Sequence, residues 1–413
     1  MSRADDVVFN RDVRPILSSA CLQCHGPDDQ ARQADLRLDQ RVAAIGELAS
    51  GSVAVVPGNV AASALIDRVT SDDEDVRMPP SSFGQKLSTA QIDVLKKWIA
   101  QGAEYSAHWA YVPPKRPPVP DIPESLGEWP QNAIDRFVLN ELQRHGLLPS
   151  EPADRYALIR RVFLDLTGLP PTIAEAEAFA GNADPDAYEA VVNDLLQRDS
   201  FGEHWARKWL DLARYADSAG YADDPARTIW AWRDWVIRSI NSNMPFDQFT
   251  MEQMAGDLLP DPADDQVIAT AFHRNTMTNS EGGTIDEEFR NVAIVDRVNT
   301  TFAVWMGTTI ACAQCHSHKY DPITQDEYFQ VFAIFNNTQD ADRRDETPLL
   351  DVFSSEQRSR RIQLERQIAA LRPTFDTSTP ELVKSQQEWE EGIRTPPRWS
   401  NLFASQVTRD SGG

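Results

Sequence analysis

Basic charge is scarce in this chain of 413 residues: Lys and Arg total 40 against 63 Asp and Glu, a formal net charge of −23. A surface of that sign repels phosphate backbones and anionic lipid, which argues against nucleic acid and acidic membranes as partners. Long apolar runs are missing too. No stretch approaches the roughly 18 residues of a spanning helix, so the sequence contains no membrane span. Its first residues, Met1-Ser2-Arg3-Ala4-Asp5-Asp6, hold no apolar signal core. Strand-like alternation is also rare, which points away from β architecture. Cysteine is limited to four residues, Cys21, Cys24, Cys312 and Cys315.

All four fall in two copies of one motif, Cys21-Leu22-Gln23-Cys24-His25 and Cys312-Ala313-Gln314-Cys315-His316. Two thiols three positions apart on one helical turn can each form a thioether to a haem vinyl group, and the adjacent histidine then reaches the iron. The motifs therefore predict two covalently bound haem c groups, with His25 and His316 as proximal iron ligands. A zinc site built from two Cys-x-x-Cys knuckles fits less well, because the halves lie 291 positions apart and each carries a histidine that four thiolates do not need. Redox dithiols of the thioredoxin kind require a βαβ setting, which neither flank provides. Haem attachment of this type takes place outside the bacterial cytoplasm. The expected location is periplasmic or extracellular, with an export signal removed or replaced.

Proline divides the chain. Val112-Pro113-Pro114-Lys115-Arg116-Pro117-Pro118-Val119-Pro120 has polyproline character. The expected organisation is a cytochrome c domain at 7–106, a linker at 107–131, a larger helical domain at 132–345, a helical hairpin or spacer at 350–395, and the truncated start of a further region at 396–413. The fold class is mainly α: a small class-I-like cytochrome c domain, a larger helical domain with the second haem motif, and the hairpin.

Within the first domain, Ser88 and Gln91 have capping-box spacing, and Ile92, Leu95 and Ile99 share one face before Gly102. A middle helix is expected over 61–69. Met78, in Arg77-Met78-Pro79-Pro80, is held by a stiff proline pair between the haem motif and the final helix, where a small cytochrome c presents its distal thioether; the plainer alternative is a packing methionine. In the larger domain, Trp205, Trp209, Trp230, Trp232 and Trp235 lie close together. They read as helix core, with an electron relay or a sugar-stacking platform as alternatives. Glu356 to Leu371 reads as a helix broken by Pro373, and Leu382, Trp389 and Ile393 mark its return partner.

Asn10-Arg11-Asp12-Val13-Arg14-Pro15-Ile16-Leu17, Cys24-His25-Gly26-Pro27, Val56-Pro57-Gly58-Asn59, Arg77-Met78-Pro79-Pro80 and Trp98-Ile99-Ala100-Gln101-Gly102-Ala103 together resemble the planctomycete-type cytochrome C domain. Asp165-Leu166-Thr167-Gly168-Leu169-Pro170-Pro171, Trp209-Leu210-Asp211-Leu212-Ala213-Arg214-Tyr215-Ala216-Asp217 and Cys312-Ala313-Gln314-Cys315-His316-Ser317-His318-Lys319-Tyr320-Asp321-Pro322 resemble the uncharacterised domain that accompanies it in large secreted proteins. The resemblance spans residues 8 to about 340. It implies an exported bacterial haem protein, often linked by neighbourhood to polysaccharide breakdown, of which this chain is a fragment. It implies no reaction.

What faces His316 stays open at this point. His318 is badly placed to reach the opposite haem face from the same backbone turn, which leaves it as a propionate partner, a catalytic acid/base or a satisfied polar group. Met277 and His108 are the candidates to approach from afar, and an open five-coordinate iron is the third option. An open iron would bring His318, Glu281, Lys319 and Tyr320 into play as acid/base groups. The expected function is electron transfer by a dihaem cytochrome, the first haem relaying to or from the second and exchanging with a redox partner protein of basic character. The alternative is a haem oxidoreductase acting on an extracellular, carbohydrate-type substrate. A non-catalytic adaptor stapled by haem leaves two redox centres without a role.

Overall fold

The computed structural model describes residues 6–83, 86–123, 129–279, 281–339 and 346–394. The expected further region at 396–413 lies outside the described residues. Among them there is no β-sheet, only two isolated bridges, Glu47 with Val53 and Ser218 with Ala226. The protein is almost entirely helical, and it divides into two compact units that meet in sequence at Leu349 and Leu350.

Among the described residues, sixteen α-helices follow in order. The first four are α1 (Arg14–Ala20), α2 (Arg41–Ala44), α3 (Ala64–Thr70) and α4 (Thr89–Ala100). Next come α5 (Ala133–Arg144), α6 (Arg155–Thr167), α7 (Ile173–Gly181), α8 (Ala187–Leu196) and α9 (Asp199–Leu212). They are followed by α10 (Trp230–Asn241), α11 (Phe246–Ala255), α12 (Asp264–Ala269), α13 (Asp286–Thr301) and α14 (Gln325–Phe335). The last two, α15 (Ser355–Asp376) and α16 (Pro380–Arg394), belong to the second unit.

The N-terminal helices gather a core of their own. Leu17 of α1, Leu65 and Ile66 of α3, and Leu95, Trp98 and Ile99 of α4 bury their side chains against Phe9, Leu38 and Val55. Trp98 donates its indole N–H to Glu104 O at 3.0 Å, so the polar edge of this buried ring is satisfied. α4 starts at the capping box read from the sequence: Ser88 Oγ accepts the Gln91 N–H at 3.2 Å, and Gln91 Oε1 accepts the Ser88 N–H at 2.9 Å. α3 starts three residues later than expected. The Asn59 carboxamide accepts the Ala62 N–H at 3.1 Å, and Ser63 Oγ donates to Asn59 O at 2.8 Å, so 59–63 closes as a turn before the helix begins.

Tryptophan builds a second core. Trp232, Trp235 and Val236 of α10 meet Ala206 of α9, Phe249 of α11 and Phe272, with Trp209 and Trp305 packed against them. Gly202 permits a close α9 to α10 approach: its N–H donates to Asn241 Oδ1 at 2.7 Å, and a Cβ there would lie 2.5 Å from that carboxamide. Trp205 and Trp230 remain exposed. A further cluster joins Val298 of α13 and Tyr328 of α14 to Ile310, Ala313 and Ile323. α14 is anchored by Thr324, whose Oγ1 accepts the Glu327 N–H at 3.2 Å.

In the second unit the helix expected to stop at Pro373 continues to Asp376. Proline there removes one amide N–H in the final turn, and the Ala369 carbonyl it frees is on an exposed helix, open to solvent.

Candidate functional site

α1 delivers the first cysteine motif. The Cys21 N–H donates to Leu17 O at 2.8 Å, and the Cys24 and His25 N–H groups both donate to Cys21 O, at 3.1 and 2.9 Å. Both thiols and the imidazole therefore project from one closed turn. Gln33 N–H to Cys24 O (2.7 Å) and Leu38 N–H to His25 O (2.8 Å) pin its outer side. Gly26 lets the chain leave, because a Cβ there would sit 2.1 Å from Leu22 O. His25 Nδ1 lies 3.2 Å from Gln33 O. A carbonyl only accepts, so this contact assigns the proton to Nδ1 and leaves the Nε2 lone pair available. Burial holds the His25 imidazole below its usual range, against the pull of that carbonyl, which favours the neutral ring. Burial, and then the neighbouring Cys24, push the Cys21 thiol up to about 12.

Met78 is half-buried, with its N–H donated to Arg68 O at 3.0 Å. Arg77 before it is buried, and its Nε has no hydrogen-bond partner among the described residues.

The second motif repeats the first in its backbone. Ala311–Gln314 forms a 3-10 turn, and the Cys315 and His316 N–H groups both donate to Cys312 O, each at 3.4 Å. His316 Nδ1 lies 2.9 Å from Ser317 O, so here too a backbone carbonyl fixes the tautomer with Nε2 free. Ile310 and Ala313 are buried in the core, while Cys312, Cys315 and His316 are exposed. Tyr328 packs beneath. It is fully buried, its hydroxyl has no partner among the described residues, and burial followed by the charge of Cys315 pushes its phenol up.

His318 is buried, and its ring is held by backbone donors. Its Nδ1 accepts the N–H groups of Tyr320 and Asp321 at 3.2 and 2.9 Å, so its proton resides on Nε2. The 3.5 Å approach of His318 Nδ1 to Asp321 Oδ2 therefore sets two lone pairs side by side, not an ion pair. Asp321 instead receives His108, whose Nε2 is 3.3 Å from Asp321 Oδ1 while its Nδ1 accepts the Ala110 N–H at 3.4 Å. Burial lowers the His108 pKa, Asp321 works against that, and Arg14 and His318 add to it. Arg14 belongs to α1, where it donates to Asn10 Oδ1 at 2.9 Å and to Ser106 O at 3.2 Å. The segment around His108 and the loop after the second motif thus meet at one carboxylate, whose charge also acts on Arg14 of α1.

Met277 is not part of this cluster. It is exposed, with its side chain against Gly220, and its segment is held by Arg227, which donates to Arg274 O (3.0 Å) and Thr276 O (2.8 Å) and pairs with Glu346 at 2.8 Å. Ile323 N–H donates to Asp321 O at 2.8 Å, closing a turn at Asp321-Pro322, and no spacing signal in the sequence marks the role of the Asp321 side chain. Asp296 pairs with Arg214 at 2.6 Å, while Arg297 is buried and donates to Thr338 Oγ1 at 3.0 Å.

Residues 133–340, about half of the chain, match the family model PSCyt2, described as a protein of unknown function (DUF1549). The chain belongs to that family. Residues 21–82, ahead of it, match PSCyt1, planctomycete cytochrome C. The first cysteine motif, Arg77 and Met78 fall inside the cytochrome match, and the second motif, Met277, His318 and Asp321 inside the other. The two names point to a planctomycete cytochrome-associated protein. No curated protein and no solved structure matches the chain. No helix among the described residues is long and apolar enough to cross a membrane.

Proposed function

We propose that the protein is an exported dihaem c-type cytochrome that transfers electrons between its two haems and a partner protein. The observation that carries this reading is the repeated turn: in both motifs the second cysteine and the histidine donate to the first cysteine's carbonyl, and in both a backbone carbonyl holds Nδ1. That is the orientation a proximal ligand needs, with its outer nitrogen engaged and its inner one aimed at a metal. The residues therefore suit the group. Cys21 and Cys24 would hold one haem with His25, and Cys312 and Cys315 the other with His316. Met78 is the proposed distal ligand of the first. His108 and Met277 are the candidates at the second; His108 Nε2 would have to leave Asp321 to serve, and Met277 would have to leave Gly220. Bound haem supplies a one-electron couple at each site.

The reading includes a cytochrome c domain of the small class-I-like kind at 7–106, a linker at 107–131, a haem-bearing helical domain at 132–345 and a helical spacer at 350–395. A chain of net charge −23 suits a basic redox partner. A spectroelectrochemical titration of the haem-loaded protein tests the proposal. It should resolve two one-electron steps, and a single step would remove the second haem from the account.

One observation favours the second reading, a haem oxidoreductase on a carbohydrate-type extracellular substrate. Asp321 accepts from His108 next to the second motif, a carboxylate–imidazole pair able to hold and pass a proton. Carbon monoxide binding to the reduced protein separates the two. Poor binding at the second haem supports the relay, and ready binding with measurable substrate oxidation supports the enzyme.

A further inference from the structure

Arg77 is only 9% exposed, yet its guanidinium has neither a hydrogen bond nor an ion pair among the described residues, and Nε is fully enclosed. Acidic neighbours are not lacking. Asp72, Asp73, Glu74 and Asp75 lie two to five positions before it, and Asp72 pairs with Lys86 at 3.0 Å instead. The backbone is tied on both sides of the side chain, by the Arg77 N–H to Asp73 O at 2.8 Å and the Met78 N–H to Arg68 O at 3.0 Å. An Nε–H donor shut off from water without an acceptor is costly to leave unmatched. Such a site calls for an anion, and the planar fork of donors matches a carboxylate in particular.

We propose that Arg77 receives a propionate carboxylate of the haem attached at Cys21 and Cys24. The proposal rests on the reading of that motif as a haem site. It adds a role for a residue that is neither an attachment point nor an iron ligand. The carboxylates are the only anionic groups haem carries, and Arg77 adjoins the methionine proposed to reach the iron. The ion pair would position the macrocycle and place a fixed positive charge near its edge, which favours the reduced state of the iron.

The test uses the full chain, loaded with haem, as wild type, Arg77→Met and Arg77→Lys. Arg77→Met should keep the haem and the sulfur-to-iron absorption of Met78 but shift the first couple's reduction equilibrium about tenfold towards the oxidised form, some 59 mV for one electron. Arg77→Lys keeps the charge, so its couple should stay close to wild type while the propionate-bending band in the resonance Raman spectrum moves. An unchanged couple and an unchanged band in Arg77→Met overturn the proposal. If Arg77→Met does not fold, the band in Arg77→Lys decides alone, and its staying put overturns the proposal equally. Failure of the underlying haem reading shows separately, as a wild-type protein whose intact mass lacks haem at the first motif.

Discussion

His108 and Asp321, 213 positions apart in sequence, meet with Nε2 3.3 Å from Oδ1. This contact ties the end of the N-terminal core to the loop that follows the second cysteine motif. The nitrogen in that contact is also the one His108 would need to bind iron. The Asp321 pair and an iron bond are therefore mutually exclusive for this ring.

Replacing the carboxylate tests which partner His108 has. In Asp321→Asn the ring loses the negative charge that opposes the effect of its burial, so its pKa falls further below the usual histidine value. A histidine titration followed by NMR on the haem-loaded protein should show the change at His108. An unmoved titration would mean that His108 is held elsewhere, with iron as the first alternative.

Met78→Ala should leave the first haem attached, because attachment uses the cysteines alone. It should lower that haem's potential and abolish its sulfur-to-iron charge-transfer absorption. An unchanged spectrum would make Met78 a packing residue on its loop.

Arg227 pins the 274–279 segment through two carbonyls and Glu346. Arg227→Ala removes those bonds and strands a partly buried carboxylate, which should destabilise the protein by about 3 kcal/mol. Urea unfolding measures this, and limited proteolysis should begin near Met277. A loss within 0.5 kcal/mol would show that the segment holds without it.

Three imidazoles set the neutral-to-acid response of the haem-free chain. His25, His108 and His204 all have lowered pKa values, with burial the largest cause in each. The unfolded chain therefore takes up these protons first as pH falls. Stability should be fully present above about pH 6.5 and decline below it, before carboxylates titrate near pH 4. Denaturation midpoints at pH 7.5 and 5.5 should differ, and less so in His204→Gln. Equal midpoints would contradict the assignment.

The parts legible in the sequence were those set by short spacings. Ser88 and Gln91 are three apart and close a capping box, and the cysteine motifs fix their own turn. The tryptophan cluster read as core, and Trp232 and Trp235 are buried. Spacing misled where a side chain captured the backbone, as Asn59 does ahead of α3, and where exposure let a helix tolerate Pro373. The Asp321 contact and the lone guanidinium of Arg77 were not legible. One joins distant segments, and the other is defined by partners it does not have.

The central claim is that both cysteine turns carry haem. Intact mass of the full chain, expressed with a periplasmic haem-maturation system, measures it directly. The account predicts a mass increased by two covalent haems, falling to one when Cys312 and Cys315 are both replaced by alanine. A haem-free chain loaded with zinc from the same system would contradict it.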